Sequence, residues 1–263
     1  MRFAQFAATF RRTGVCCVRK LVSHAELETL RAASEAIQST LSPLIGTSGS
    51  RLVDTFCWLR DKRFLDTLIT SKIPAFAAAI LEVNEVRLFY DQILDKPPGA
   101  SRATPWHQDL PYWPLQGSQV CTVWLALDDV DESNGGMEYL AGSHCLGIEF
   151  QPVSYHDQGS WKNTSFPTLP PLEELTERFP LVSWPIASGD AIAHHGLTIH
   201  GARNNTSSWR RRRSYITRWI GPSIRYQERP ETLDFPTKLP LKTGDPCNLK
   251  LFPRFLSSRL ESE

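Results

Sequence analysis

The 263-residue chain lacks a charge excess: 29 Lys and Arg stand against 28 Asp and Glu, a formal net charge of +1. A nucleic-acid binder shows a clearer basic surplus, so no nucleic-acid partner is expected. No apolar run approaches the ~20 residues needed to span a bilayer, so no membrane partner is expected either. The six cysteines (Cys16, Cys17, Cys57, Cys121, Cys145 and Cys247) include no CxxC spacing. That removes the zinc-ribbon and thioredoxin signatures. No secretory signal pattern precedes them, so they read as free thiols of a reducing compartment, and a cytoplasmic location is expected. The acid-free start MRFAQFAATFRRTG has some presequence character, but the expectation is a first helix of the fold. Glu-Ser-Glu at the end is not a peroxisomal tripeptide. No internal repeat or linker divides the sequence, so residues 1–263 are expected to form a single domain. Nothing in the sequence speaks to oligomeric state.

What is present is a hydrophobic content of 41%, enough for a sizeable core, with eight Trp and 19 Pro. Those counts favour aromatic-lined walls and many loops over a helical bundle. Residues 3–12 read as a helix ending at Gly14, and Val15–Val18 as a buried strand. Ser23 and Glu26 form a capping box, followed by Leu27, Leu30, Ala33 and Ile37 at helical spacing. Residues 41–54 read as a Ser/Gly/Thr-rich loop. A second helical region spans about 61–82, broken at Pro74, with Phe64, Leu65, Leu68, Ile69, Phe76 and Ile80 as its apolar face. From 86 onward β character dominates: 86–94, 119–127, 137–140, 182–185, 191–195 and 214–220 are strand candidates. Residues 151–180 read as a polar, Pro-rich insertion placed like a lid, with a short helix at 171–178. The tail from Pro222 is Pro-rich and reads as having little regular structure before Leu251-Phe252-Pro253. The expected fold is mainly β with flanking helices, a double-stranded β-helix (jelly roll, cupin-like). Its helical part spans about 1–85, its core about 86–221 and its tail about 222–263.

The chemistry gathers around Trp106-His107-Gln108-Asp109. In an extended segment residues i and i+2 share a face, so His107 and Asp109 are expected to project together and Gln108 away. They supply two members of a 2-His-1-carboxylate triad, the ligand set that leaves positions open on non-haem Fe(II). The stretch 188–202 offers His194, His195 and His200 for the third. His200 is preferred because Gly201-Ala202 lets the backbone turn sharply after it; His194 and His195 then fall to supporting or packing roles. Beyond lies Arg210-Arg211-Arg212-Arg213. Strand alternation would send one of these arginines inward and leave three outside. A planar guanidinium pairs with a carboxylate through two parallel hydrogen bonds, as the distal carboxylate of 2-oxoglutarate requires.

These residues, in this order, make the chain resemble the phytanoyl-CoA dioxygenase family of Fe(II)- and 2-oxoglutarate-dependent oxygenases. The resemblance covers most of the sequence. It runs from Phe10-x-x-x-Gly14-Val15 and the Ser23–Leu30 helix start through Tyr90-Asp91-Gln92 and Lys96-Pro97-Pro98-Gly99 to Thr104–Asp109. It continues through Trp124–Asp128, Asn134-Gly135-Gly136, Gly142-Ser143-His144 and Gly189-Asp190 to His200-Gly201-Ala202, Asn205-Thr206-Ser207 and the arginine run. It implies His107, Asp109 and His200 as catalytic iron ligands, and Fe(II), 2-oxoglutarate and O2 as cofactors. Spacing from the distal histidine selects Arg211 for the cosubstrate, whereas counting back from Trp219 selects Arg212, which strand register favours. Trp124 matches a tryptophan near the cosubstrate, and Gln92 and Lys96 are candidates for its wall. Related halogenases omit the carboxylate ligand, so Asp109 points to hydroxylation. The substrate implied is a small organic molecule, a natural product or other secondary metabolite. An acyl-CoA substrate, or a non-catalytic jelly-roll binding protein, is the alternative.

Overall fold

The structure, a computed structural model, describes residues 3–40, 52–99, 103–153 and 165–256. In chain order the elements are α1 (Ala4–Thr13), β1 (Val15–Val18), α2 (His24–Thr40), β2 (Leu52–Thr55), α3 (Cys57–Arg60), α4 (Lys62–Thr70) and α5 (Ile73–Ile80). The strand-rich part follows with β3 (Glu85–Lys96), β4 (Thr104–His107), β5 (Leu115–Gln116), β6 (Val120–Ala126) and β7 (Met137–Leu140). It closes with α6 (Leu172–Arg178), β8 (Leu181–Ser183), β9 (Ala191–His195), β10 (His200–Ala202), β11 (Arg212–Ile220), β12 (Arg225–Tyr226) and β13 (Arg254–Leu256).

The strands form a seven-stranded sheet in the order β1-β9-β6-β11-β3-β13, with β2 also on β3, and a four-stranded sheet β4-β10-β7-β8. β5 and β12 pair apart from both. All these pairings are antiparallel. This is the expected mainly-β jelly roll with helices against it. β6 is buried at every position, because both faces of the large sheet are covered. Cys121, Val123 and Leu125 pack outward with Leu30, Phe64, Phe76, Tyr215 and Trp219. Trp124 and Ala126 pack inward with Met137, Tyr139, Ile192 and Ile216. The helices thus clamp one face of the large sheet, and the small sheet closes over the other.

The helix starts follow local chemistry. α1 ends at Gly14, whose φ of 70° suits a left-handed cap and whose N–H donates to Phe10 O at 2.7 Å. Ser23 and Glu26 make the capping box: Ser23 N donates to Glu26 Oε2 at 2.7 Å and Glu26 N to Ser23 Oγ at 3.3 Å. Leu27, Leu30, Ala33 and Ile37 are all buried beneath it.

Several expectations are corrected. The loop of 41–54 contains β2 from Leu52, which pairs with β3 and so takes its conformation from a long-range partner; residues 41–51 lie outside the described residues. The helical region begins at Cys57 and breaks at Ser71-Lys72, not at Pro74. Pro74 lies in the first turn of α5, where its missing N–H costs nothing. Ile69 is 58% exposed, off the apolar face of Phe64 and Leu68. The tail carries β12 and β13, each paired with an earlier strand. The strand expected at 182–185 is Leu181–Ser183. Of the insertion at 151–180, residues 154–164 lie outside the described residues, and α6 occupies Leu172–Arg178. Among the described residues no helix is long and apolar enough to cross a membrane.

Candidate metal centre and carboxylate pocket

β4 and β10 are paired so that His107, the last residue of one, lies opposite His200, the first of the other. Their ring centroids are 4.2 Å apart. Each Nδ1 meets a backbone carbonyl: His107 at Pro105 O, 2.8 Å, and His200 at Thr198 O, 2.9 Å. A carbonyl only accepts, so each Nδ1 carries a proton and Nε2 is the ring nitrogen left for the cluster. Both Nε2 atoms face one carboxylate oxygen, Asp109 Oδ1, at 3.6 and 3.9 Å. The three donor atoms all lie within 4.8 Å of one another, and all three residues are buried.

Asp109 reaches this position by a route the sequence did not suggest. β4 ends at His107, and Asp109 is helical (φ −78°, ψ −43°), opening the tight turn Leu110–Tyr112 that Pro111 favours. The convergence comes from that turn and not from strand alternation. Gln108 does turn away: its Nε2 donates to Ile148 O at 3.0 Å and Leu197 O at 2.9 Å, and its Oε1 accepts from Phe150 N at 2.9 Å. The second carboxylate oxygen, Asp109 Oδ2, accepts from Thr122 Oγ1 at 2.6 Å and lies 3.1 Å from His194 Nε2. Oδ1 is left to the histidine pair. Burial pushes the Asp109 carboxyl up, but its contacts with His107 and His194 outweigh that and hold it well below the usual carboxylate range. Burial, then the neighbouring His194 and His107, push His200 well below the usual imidazole value. An ionised carboxylate beside two imidazoles is the donor set that suits a divalent ion.

Gly201 does not form the sharp turn expected after His200. β10 runs on through Ala202 because β4 and β7 hold it on both sides. A Cβ at Gly201 would lie 3.1 Å from Thr104 O and 3.3 Å from Trp106 Cδ2, so the glycine permits close approach of the two ligand-bearing strands. His194 has the supporting place expected of it. His195 instead binds Ser118 O at 2.8 Å, and burial pushes its pKa down to about 4.

The arginine run divides by strand parity. Arg212 is 1% exposed and turned inward. Its guanidinium sits 4.7 Å over the Trp124 ring, and Nη2 donates to Gly135 O at 2.9 Å. Arg211 points the other way, to Asp95, Glu35 and Gln38. Arg210 pairs with Asp131, and Arg213 with Asp128 and Glu35. Lys96, fully buried, pairs in register with Arg212 and donates from Nζ to Arg203 O at 2.7 Å. Gln92, half-buried, lies opposite Ile216, which packs with Trp124. These residues therefore share one face of the sheet, with the Arg212–Lys96 pair at one end and Thr122–His194 at the other.

Tyr139, which no motif in the sequence marks, lies between the two ends. Its ring stacks on His200 at 5.7 Å, the Arg212 charge acts on its hydroxyl, and that buried hydroxyl has no partner among the described residues. Thr122 and Arg218 are likewise unmarked by any motif. The only sequence signal for them is the even spacing of inward positions along β6 and β11.

The profile of the phytanoyl-CoA dioxygenase family matches residues 10–213. The peroxisomal phytanoyl-CoA dioxygenase of Bos taurus is 29% identical over 223 residues, covering 75% of this chain and 63% of that protein. The L-proline trans-4-hydroxylase of Streptomyces griseoviridis is 30% identical over 121 residues, 41% of this chain and 45% of that protein. The chain thus spans less than two thirds of the length of these relatives. Among solved structures, the epimerase SnoN in complex with Fe3+, alpha ketoglutarate and nogalamycin RO superimposes with a TM-score of 0.74 at 24% identity. That match covers 96% of this chain and 98% of SnoN and is a likeness of fold.

Proposed function

The chain belongs to the phytanoyl-CoA dioxygenase family, and on that premise we propose that it is an Fe(II)- and 2-oxoglutarate-dependent dioxygenase hydroxylating a small organic substrate. The observation that carries this reading is the His107–Asp109–His200 cluster, with both Nδ1 atoms tied to carbonyls and all three donor atoms within 4.8 Å. Two imidazoles and one carboxylate suit Fe(II) and leave coordination positions for a bidentate 2-oxo acid. When bound, Fe(II) with 2-oxoglutarate and O2 supplies the oxidation: one oxygen atom enters a substrate C–H bond, the other enters succinate, and CO2 leaves.

The protein's part is positioning. Thr122 and His194 hold Asp109 Oδ2 so that Oδ1 faces the histidines. Arg212, flat against Trp124, offers a guanidinium to the distal carboxylate of the cosubstrate, with Lys96 beside it on the neighbouring strand. Gln92 belongs to the same wall. The Tyr139 hydroxyl adds a donor between Arg212 and the cluster. Tyr112, whose ring meets His107 edge-on at 5.8 Å, covers the cluster and helps exclude water. The carboxylate ligand in place favours hydroxylation over halogenation.

A natural product or other secondary metabolite is the proposed substrate class, in line with a proline hydroxylase among the relatives and an epimerase from nogalamycin biosynthesis among the neighbours in fold. The name of the bovine relative favours a second reading, hydroxylation of an acyl-CoA. The test is succinate formation from 2-oxoglutarate over a panel of small metabolites and acyl-CoAs, with Fe(II) and with Fe(II) withheld. Iron-dependent succinate release above the substrate-free rate supports the reading. No iron-dependent succinate with any member of the panel contradicts it.

A further inference from the structure

Six residues beyond Arg212 on the same strand lies a second buried arginine, Arg218. Its parity on β11 matches Arg212 and Ile216, so it faces the interior. Its register partners are Tyr90 on one side and Thr122 on the other, and Thr122 in turn faces His194. Arg218 therefore completes the row of side chains behind Asp109. It is 7% exposed, and its Nε and Nη1 are buried with no partner among the described residues. The guanidinium lies 4.6 Å over the Tyr90 ring. The neutral Tyr90 hydroxyl meets the Arg218 guanidinium and also accepts from Trp113 Nε1 at 3.0 Å, and the Thr122 hydroxyl donates to Asp109, so no carboxylate of the row is given to Arg218. Arg210, Arg211 and Arg213 each have a carboxylate partner. A guanidinium buried without one is costly unless an anion arrives to meet it.

We propose that Arg218 is a second anion anchor, which receives a carboxylate or similar oxyanion of the organic substrate beside the His107–Asp109–His200 cluster. The proposal rests on the oxygenase reading and adds to it that the substrate is acidic. Charge favours the substrate over the cosubstrate as the source. Arg212 already faces the interior for the distal carboxylate of 2-oxoglutarate, so the charge of Arg218 is left for another anion. Position agrees. Arg212 and Arg218 start ~20 Å apart along β11 at ~3.3 Å per residue, and Arg212 leans over Trp124 while Arg218 stays over its own row. The two ends of the strand thus serve two different acids, with the metal cluster at the Arg218 end. The Tyr90 ring keeps the guanidinium flat and leaves its edge for two parallel hydrogen bonds.

The test uses the full chain loaded with Mn(II) and 2-oxoglutarate under nitrogen, so that binding is read without turnover. Calorimetry compares L-proline with prolinamide, octanoate with octanamide, and benzoate with benzamide. The expected result is that the wild type prefers at least one acid over its amide by about tenfold or more, as a charge-assisted pair allows. Arg218→Met abolishes that preference and Arg218→Lys keeps part of it. In both variants 2-oxoglutarate binding stays within about twofold of the wild type, a change well under 1 kcal/mol. Circular dichroism and retained 2-oxoglutarate binding show that each variant is folded. An unchanged acid preference in Arg218→Met, or no preference in the wild type, overturns the proposal. Loss of 2-oxoglutarate affinity in a folded Arg218→Met reassigns the anchor to the cosubstrate and also overturns it. Failure of the wild type to bind 2-oxoglutarate at all removes the oxygenase reading itself, a result separable from the others.

Discussion

Thr122 Oγ1 donates to Asp109 Oδ2 at 2.6 Å, across the interior from the large sheet to the turn after β4. Asp109 is not held by its own segment alone: β6 and β9 reach over with Thr122 and His194 and fix which oxygen faces the histidine pair. Thr122→Val keeps the shape of a 1%-exposed side chain and removes only the donor. Groups that orient a ligand in this way are worth about 10–100-fold in metal affinity. Mn(II) affinity measured by calorimetry is expected to fall by that factor with little change in melting temperature. Equal affinity in variant and wild type would remove Thr122 from the account.

Arg211 and Arg212 are adjacent and are expected to fail differently. Arg212→Met removes the inward guanidinium over Trp124, so the 2-oxoglutarate Kd should rise by about tenfold or more, the cost of losing a bidentate carboxylate pair. Arg211→Met leaves Asp95, 2% exposed, without the guanidinium that pairs with its Oδ2. Its cost is expected in stability, roughly 1–3 kcal/mol, below that of a fully buried pair because the Arg211 side chain is 34% exposed. Calorimetry with 2-oxoglutarate and urea unfolding on both variants separate the two. A weakened 2-oxoglutarate complex in Arg211→Met alone would reverse the assignment.

Those two arginines also show what was legible in the sequence. The family spacing counted back from Trp219 selects Arg212 over Arg211, and register favours that choice because a strand buried on both faces cannot slip by one residue without exchanging its faces. The capping box at Ser23–Glu26 and the apolar spacing of α2 are local and were equally readable. So was the run Val120–Ala126. The path of Asp109 was not, since its helical turn replaces the extended segment that His-x-Asp suggests. β2 and β13 were missed because short edge strands take their structure from β3 and not from their own pattern. Thr122, Tyr139 and Arg218 acquire a place in the site only through cross-strand register, which no single segment encodes.

Gly201 makes the spacing of β4 and β10 testable. Gly201→Val puts a branched side chain where even a Cβ would lie 3.1 Å from Thr104 O and 3.3 Å from Trp106 Cδ2. Overpacking of this kind costs about 1–3 kcal/mol. It should also part the strands that carry His107 and His200, so Mn(II) affinity is expected to fall together with the melting temperature. Unchanged metal affinity would show that the two strands hold their ligands independently of this contact.

Asp91 gives stability a pH dependence apart from the metal site. It accepts from Tyr215 Oη at 2.8 Å and Trp58 N at 3.1 Å, and burial pushes its carboxyl from the usual 3.8 up to about 7. Between those values the unfolded chain releases a proton that the folded chain keeps. Its contribution is therefore fully present below about pH 4 and is lost as pH rises toward 7, with a slope of up to ~1.4 kcal/mol per pH unit. Asp91→Asn cannot titrate. The difference in urea-unfolding free energy between variant and wild type should change across pH 4–7 and level off above. A difference independent of pH would show that Asp91 is ionised throughout.

The central claim is that His107, Asp109 and His200 hold Fe(II) with an open face for 2-oxoglutarate, and one measurement addresses it directly. Under nitrogen, Fe(II) is added to the protein with 2-oxoglutarate and the visible spectrum is recorded, for the wild type and for His107→Ala and His200→Ala. A weak charge-transfer band from the chelate is expected in the wild type and requires both iron and 2-oxoglutarate. No band is expected in either variant while circular dichroism stays native-like. A wild type that shows no band with both components present, or a band that persists in the histidine variants, would contradict it.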